Sequence, residues 1–158
     1  MISHSVIQII NTGQAGVDIG ALIGAKRSNI ATGGTARKDY MTHGGAKVSE
    51  LMELGLLACD SINETQCISS NIKQAQACLF LTAKKHSVYH DFIVPLLNEY
   101  NLPFLALYIY DSKSLERATN FLTTINPSNL FVTGDSNRLT PKIAFKTAIF
   151  VQTLLSQK

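Results

Sequence analysis

The chain has 158 residues, of which 46% are hydrophobic and only 16% are charged, and its net charge is +3. This length predicts one domain over residues 1–158 with enough apolar content to bury a core. The small net charge and the lack of a dense Lys/Arg run argue against nucleic acid as a partner. No window is apolar enough throughout to span a membrane, and no targeting signal opens the chain, so we expect a soluble protein.

The three cysteines, Cys59, Cys67 and Cys78, form no C-x-x-C motif, and an odd number cannot all pair within one chain. This usage favours a reduced, cytoplasmic protein. The low charged fraction has two further explanations, a surface rich in neutral polar residues and a surface partly buried in a homo-oligomer, and we expect both.

The first half of the chain begins with an apolar, strand-like run at residues 6–10, and a helical pattern over 16–27 ends in Lys26 and Arg27. Basic residues at a helix C-terminus suit the helix dipole. A short extended piece at 29–32 then leads into a polar, glycine-containing stretch to residue 45, which predicts a loop. Short helices are predicted at 50–57 and 64–76, and the second leads into a buried strand at 77–81.

In the second half of the chain, the predicted strands and helices alternate more regularly. A helix is predicted over 87–100 despite Pro95, followed by a strand at 104–109, a helix at 114–124, a strand at 129–133 and a terminal helix from about Pro141. Alternating strands and helices are typical of an α/β fold with a parallel sheet covered on both faces, in which ligands bind beyond the carboxyl ends of the strands.

A glycine-rich turn lies between the first strand and the first helix, with glycines at positions 13, 16 and 20. Such a turn lets the backbone approach a ligand, and the helix that follows directs free N–H groups toward an anion. The spacing matches neither G-x-G-x-x-G nor G-x-x-x-x-G-K-[ST]. Phosphate binding and a simple tight turn therefore both remain open.

Five segments follow the predicted strands: 12–18, 32–45, 82–89, 110–112 and 134–140. In a parallel sheet these segments meet at one edge, and they contain more basic than acidic residues, which predicts a cleft with excess positive charge for an anionic ligand. The basic residues and His are Arg37, Lys38, His43, Lys47, Lys84, Lys85, His86 and Arg138, and the acids are Asp18, Asp39, Asp111 and Asp135.

Asp18 lies in the first turn of the first helix and has two possible roles. It could stabilise the helix N-terminus, with a contribution of about 0.5–1 kcal/mol, or it could face a ligand hydroxyl or amino group. The four histidines do not show a metal-ligand spacing, and no G-x-S-x-G or paired Cys nucleophile is present. We therefore predict neither a protein-ligated metal nor a catalytic residue.

Several segments together are similar to one known family. Residues 12–22, T-G-Q-A-G-V-D-I-G-A-L, closely resemble the G-G-Q-T-G-V-D-x-A-A-L signature of the circularly permuted YpsA-like branch of the SLOG superfamily, whose members are often labelled molybdenum carrier proteins. Residues 30–34, the pair Asn71-Ile72, and residues 132–134 with Pro141 resemble later features of that family in the same order. The likeness covers nearly the whole chain, and its first motif is the most specific.

The resemblance implies a Rossmann-like three-layer fold with a mostly parallel sheet, a pocket for molybdenum cofactor (molybdopterin) or a nucleotide-like ligand, and assembly into dimers or tetramers. The chain departs from the family after the central strand, where a second glycine loop is replaced by residues 84–89, whose Lys84, Lys85 and Ser87 could bind an anion through side chains. The implied ligand-binding residues are Thr12, Gly13, Gln14, Ala15, Gly16, Asp18, Gly33, Gly34, Lys84, Lys85, Ser87 and Gly134.

Two functions of different classes follow. The first is a binding or carrier protein for a phosphorylated small molecule. The alternative is a phosphoribohydrolase acting on nucleoside monophosphates, in which Asp18 or Asp111 would assist glycosidic cleavage. The P-G-G-x-G-T-x-x-E segment of the related hydrolases is missing, which favours binding over hydrolysis. A structural, oligomerising domain is the third possibility, since the terminal segment 143–155 is apolar over much of its circumference.

Overall fold

A computed structural model describes residues 4–84, 87–137 and 140–156. Strands and helices alternate through most of this part of the chain. The strands are β1 (Gln8–Ile10), β2 (Ala31–Ala36), β3 (Met41–Thr42), β4 (Gly45–Ala46), β5 (Leu56–Ala58), β6 (Ala77–Thr82), β7 (Phe104–Tyr108) and β8 (Asn129–Gly134), and the helices are α1 (Val17–Arg27), α2 (Val48–Glu53), α3 (Glu64–Gln74), α4 (Val88–Glu99), α5 (Ser114–Ile125) and α6 (Ile143–Leu155).

Six strands form one sheet in the order β5-β2-β1-β8-β6-β7, and every neighbouring pair is parallel. The connection from β1 through α1 leads to β2 on one side, whereas β8 and β6 lie on the other side of β1. An open sheet whose strand order reverses in this way leaves a crevice at the carboxyl ends of the central strands. β3 and β4 form a separate antiparallel hairpin.

The two faces of the sheet bury separate apolar cores because successive strand side chains point to opposite faces. Ile9 and Leu79 belong to the core under α1, α5 and α6. Ile10, Phe80 and Phe131 belong to the core under α3 and α4. The chain is thus an α/β protein with three layers and a parallel sheet, as the sequence predicted.

Two predicted segments were wrong in part. β2 continues to Ala36 through Gly33 and Gly34, which the sequence suggested were the start of a loop. A side chain at Gly34 would collide with the Asn11 carbonyl and with Asn71, so glycine permits close strand and helix packing there. The predicted helix at 50–57 ends at Glu53, and Leu56 begins the edge strand β5.

Within the described ranges, no helix combines the length and the hydropathy needed to cross a bilayer. All three cysteines carry free thiols.

Candidate functional site

A cavity of about 560 Å³ opens beyond the carboxyl ends of β1 and β8, at the reversal of strand order. Four of the five predicted segments contribute to it, and the segment 110–112 does not. Its volume is in the range of small-molecule sites. The described lining consists of Gln14, Ala15, Asp18, His43, Glu64, Val88, Tyr89, Phe92, Gly134, Asp135 and Ser136.

The glycine-rich turn after β1 is held by its own polar side chains. Asn11 donates two hydrogen bonds from Nδ2, to the carbonyls of Asp18 and Val132, and its Oδ1 accepts from the Gly13 N–H. Gly16 has φ +132°, a conformation that a side chain strongly disfavours, and a Cβ there would collide with the Asp135 carbonyl. The turn is therefore fixed against the segment that follows β8.

Three successive backbone N–H groups in this turn have no acceptor within the described residues: those of Gln14, Ala15 and Gly16. Gln14 and Ala15 line the cavity, and the turn leads directly into α1. Unpaired N–H groups at a helix N-terminus favour an anionic acceptor, which the helix dipole further stabilises. This corner of the cavity is suited to a phosphate group.

Asp18 does not cap its own helix, because α1 has no side-chain cap bond. Its Oδ2 accepts hydrogen bonds from the Thr12 N–H (3.2 Å) and hydroxyl (2.7 Å), and its Oδ1 accepts from the Thr133 hydroxyl (2.7 Å). Burial raises the pKa of Asp18 to about 6, although these hydrogen bonds oppose the rise. The carboxylate joins the ends of β1 and β8 and also borders the cavity.

Asp135 organises the glycine-free loop after β6. Its carboxylate accepts from the Thr82 hydroxyl (2.7 Å), the Ala83 N–H (3.1 Å) and the Ser87 hydroxyl (2.8 Å). Ser87 also accepts from the His90 N–H as the cap of α4. Asp135 therefore connects the end of β6 to the cap of α4, a role that the sequence did not indicate.

An aromatic wall closes one side of the cavity. Tyr89 and Phe92 stand in the first turns of α4 with their rings nearly parallel, 16° apart in plane and 6.1 Å between centroids. Burial, with the nearby charge of Asp18, raises the pKa of the Tyr89 phenol well above its ordinary value, so the phenol stays protonated. Its hydroxyl is 3.5 Å from that of Thr133. A planar ligand ring can stack on this wall.

Glu64, the first residue of α3, adds a half-buried carboxylate to the lining. No hydrogen bond or ion pair engages this carboxylate in the part of the chain that the structure describes. No sequence motif marks Glu64, because only the packing of α3 beside β2 brings it to the strand ends. It is available to accept a hydrogen bond from a ligand N–H or O–H group.

The side chain of Gln14 connects the hairpin of β3 and β4 to the glycine-rich turn. The Gln14 amide donates from Nε2 to the Met41 carbonyl (3.1 Å), and its Oε1 accepts from the His43 N–H (3.1 Å). Gln14 is nearly buried, whereas His43 is exposed and borders the cavity. The hairpin thus forms one edge of the cavity mouth.

Of the remaining predicted ligand residues that the structure describes, only Gly134 lines this cavity. Thr12, Gly13 and Gly16 support the turn, and Gly134 lines the cavity. Gly33 and Gly34 do not form a second wall, because they lie within β2, paired with β1 and β5. Lys84 is exposed and Ser87 bonds to Asp135, and neither borders the cavity. Lys85, His86 and Arg138 lie outside the described residues.

The expected excess of positive charge is not found in the described lining. Three carboxylates, those of Asp18, Glu64 and Asp135, border the cavity, and no lysine or arginine among the described residues does. The donors at the glycine-rich turn are backbone N–H groups, which composition cannot reveal. Among residues 4–84, 87–137 and 140–156, no three His, Cys, Asp or Glu side chains cluster as a metal site would require.

Comparison with known proteins identifies the family. The model of the circularly permutated YpsA SLOG family matches residues 9–155, so the chain belongs to this family. The fold is similar to the crystal structure of a "putative molybdenum carrier protein" from Syntrophus aciditrophicus SB, with a TM-score of 0.84 and 19% sequence identity, over 98% of this chain and 97% of that one. No curated protein matches the chain.

Proposed function

We propose that this member of the circularly permutated YpsA SLOG family binds a phosphorylated small molecule with a planar heterocyclic ring and acts as its carrier. Molybdenum cofactor, as cargo, and nucleotide-like molecules are the candidates. The observation that carries the proposal is the set of N–H groups at residues 14–16, which have no acceptor among the described residues and precede a helix at the wall of a 560 Å³ cavity. The name of the similar crystal structure is consistent with a molybdenum-related ligand.

Different groups in the cavity lining suit different parts of such a ligand. The turn before α1 would receive the phosphate, and the Tyr89 and Phe92 rings would stack on the heterocycle. The carboxylate of Glu64 can accept hydrogen bonds from ring N–H groups or hydroxyls but would repel a phosphate. A pterin carries both N–H groups and, in molybdopterin, a phosphate, so the donors and acceptors of the cavity fit the candidate cargo.

Hydrolysis has no comparable support. Asp111 does not border the cavity, and the Asp18 carboxylate is already engaged by three donors. The family match and the similar structure do not favour a hydrolase. A carrier needs only binding groups, which the cavity offers.

The first test is to identify the small molecules that remain with the purified protein, by mass spectrometry after mild denaturation. We expect a phosphorylated pterin or a nucleotide. Release of free base from purine nucleoside monophosphates, at a rate that disappears in Asp18→Asn, would overturn the carrier proposal.

The second test changes the phosphate corner. Ala15→Asp places a carboxylate beside the unpaired N–H groups, where it would occupy them and repel a phosphate. We expect at least tenfold weaker binding of the identified ligand by calorimetry, with Ala15→Asn as the matched control, because asparagine has the size and shape of aspartate without its charge. Equal affinity of Ala15→Asp and the parent would show that the turn does not bind the phosphate. Gly16→Val is less specific, because a Cβ there collides with Asp135 whether or not a ligand binds.

A further inference from the structure

Two thiols lie together where β5 leads into α3. Cys59 directly follows β5, and Cys67 stands in the first turns of α3. Both donate to the same acceptor, the Ser61 carbonyl, at 3.0 Å from the Cys59 sulfur and 3.6 Å from the Cys67 sulfur. One carbonyl therefore holds both sulfurs close together.

The two thiols differ in access to solvent. Cys59 is half-buried, whereas Cys67 is fully buried. Burial, with the neighbouring Cys59 thiol, raises the pKa of Cys67 to about 12. Since the thiolate is the reactive form and an oxidant arrives from solvent, Cys59 is the thiol that reacts first. Cys67 is then placed to attack it from within.

We propose that Cys59 and Cys67 are a redox-active pair that closes reversibly into a disulfide. With hydrogen peroxide as the oxidant, the Cys59 sulfur attacks one peroxide oxygen and the O–O bond breaks. Cys59 becomes a sulfenic acid, and the other oxygen leaves as water. The Cys67 sulfur then attacks the Cys59 sulfur as the Cys67 proton passes to the departing hydroxyl. The S–S bond forms, the S–O bond breaks, and a second water leaves. The thiols lose two electrons and two protons, and a small thiol reductant restores them.

The disulfide would close the segment 60–66, which contains Glu64 and Asn63, the cap of α3. A covalent bridge restricts the chain between its ends, so oxidation would fix the carboxylate that Glu64 presents to the cavity. Any effect of the disulfide on ligand binding rests on the proposed function, whereas the restriction of the segment 60–66 does not.

The test exposes the folded, reduced protein to a small excess of hydrogen peroxide, then alkylates the remaining thiols for mass spectrometry. We expect two thiols to be lost, a mass lower by two hydrogens, and a peptide pair joining Cys59 to Cys67, all reversed by dithiothreitol. Cys59→Ser and Cys67→Ala should each prevent the bridge, and Cys78→Ala should keep it. Peptide mapping of the parent chain gives the same assignment if a variant does not fold.

A sulfinic acid at Cys59 with Cys67 still free, a disulfide between two chains, or no reaction would each overturn the proposal. Amide hydrogen exchange then tests the restriction, with at least a severalfold slower exchange expected at 60–66 in the oxidised parent and no change in Cys67→Ala. Equal exchange in the two redox states would overturn the restriction of Glu64. Both readouts are independent of any ligand, so failure of the carrier proposal would leave them unaffected.

Discussion

Asp18 couples the folding of the strand ends to pH. Its carboxyl is 4% exposed, and its pKa rises from 3.8 to about 6 in the folded chain. Because the folded protein holds this proton more tightly than the unfolded chain, the stabilisation is fully present below about pH 4 and is lost as the pH rises through about 6. By linkage, this shift corresponds to roughly 3 kcal/mol of the free energy of unfolding.

Asp18→Asn isolates this contribution, since asparagine does not titrate. The two carboxylate oxygens of Asp18 together accept three hydrogen bonds. In the variant an amide NH2 group takes the place of one of these oxygens and cannot accept, so we expect the variant to be less stable than the parent. We expect the stability difference between the two proteins to shrink as the pH rises from about 4 to about 7. Urea unfolding at several pH values measures it, and a difference that stays constant would contradict the raised pKa.

At the residue scale, sequence predicted the parts of the site that lie on one short motif. Gln14, Ala15 and Asp18 belong to the glycine-rich turn, and all three line the cavity. Glu64 was missed because it reaches the cavity only through tertiary packing. The expected positive rim is not found in the described lining, because a strand-end position says nothing about whether a lysine faces the cavity, as Lys84 illustrates, which is exposed but does not border it.

Helices α1 and α6 pack closely through glycine. A Cβ at Gly24 would lie 2.6 Å from the Ala148 carbonyl oxygen and 3.0 Å from the Val151 Cβ. Gly24→Ala should therefore destabilise the protein by roughly 1–3 kcal/mol through overpacking, even though alanine favours an isolated helix by about 1 kcal/mol. Urea unfolding of the variant and the parent measures the net change in the free energy of unfolding.

Asn120→Ala is the matched control for helix propensity, because Asn120 is exposed within α5. We expect its free energy of unfolding to stay within about 0.5 kcal/mol of the parent or to rise. If Gly24→Ala proved as stable as this control, the two helices would not be in close contact at that point.

The hairpin of β3 and β4 depends on Gln14 for its attachment to the glycine-rich turn. Gln14→Ala removes two hydrogen bonds worth about 1 kcal/mol each, so amide exchange at residues 41–46 should accelerate roughly tenfold or more. Gln66→Ala, at an exposed position of α3, is the control and should leave the hairpin unchanged. Equal exchange in both variants would show that other contacts hold the hairpin.

At the element scale, apolar runs such as 77–81 predicted strands well, because buried parallel strands are nearly continuous in apolar residues. β2 was cut short in the prediction because Thr32 to Thr35 carry little apolar surface. The strand exists because glycine lets the Asn11 and Asn71 groups pack against it. Its stability comes from neighbours distant in sequence, which local propensity cannot register.

At the scale of the whole molecule, strand order decides where the site lies. Sequence alternation predicted a parallel sheet but not that β1 has β2 on one side and β8 on the other. That arrangement brings together turns that are more than a hundred residues apart in the chain, as the pairing of Gly16 with Ser136 illustrates. The site is therefore a product of topology, and the motif marks only one side of it.

The outer face of α6 leads to a prediction about assembly. α1 covers one side of α6, and Phe150 packs against the core, but Phe145 remains 67% exposed and Ile149 45% exposed one turn later. Exposed apolar neighbours on one helix face favour self-association, most simply through a twofold axis. We expect light scattering at micromolar concentration to give a dimer or tetramer.

Phe145→Glu should weaken this assembly at least tenfold, because a charge would have to be buried in the interface. Gln66→Glu adds the same charge on α3, across the sheet from α6, and should leave the assembly intact. Phe150 is a less suitable position for this test, because its side chain packs against the core of its own chain, and replacing it would destabilise the fold as well. A strictly monomeric parent would remove the argument, and equal weakening by both variants would place the interface elsewhere.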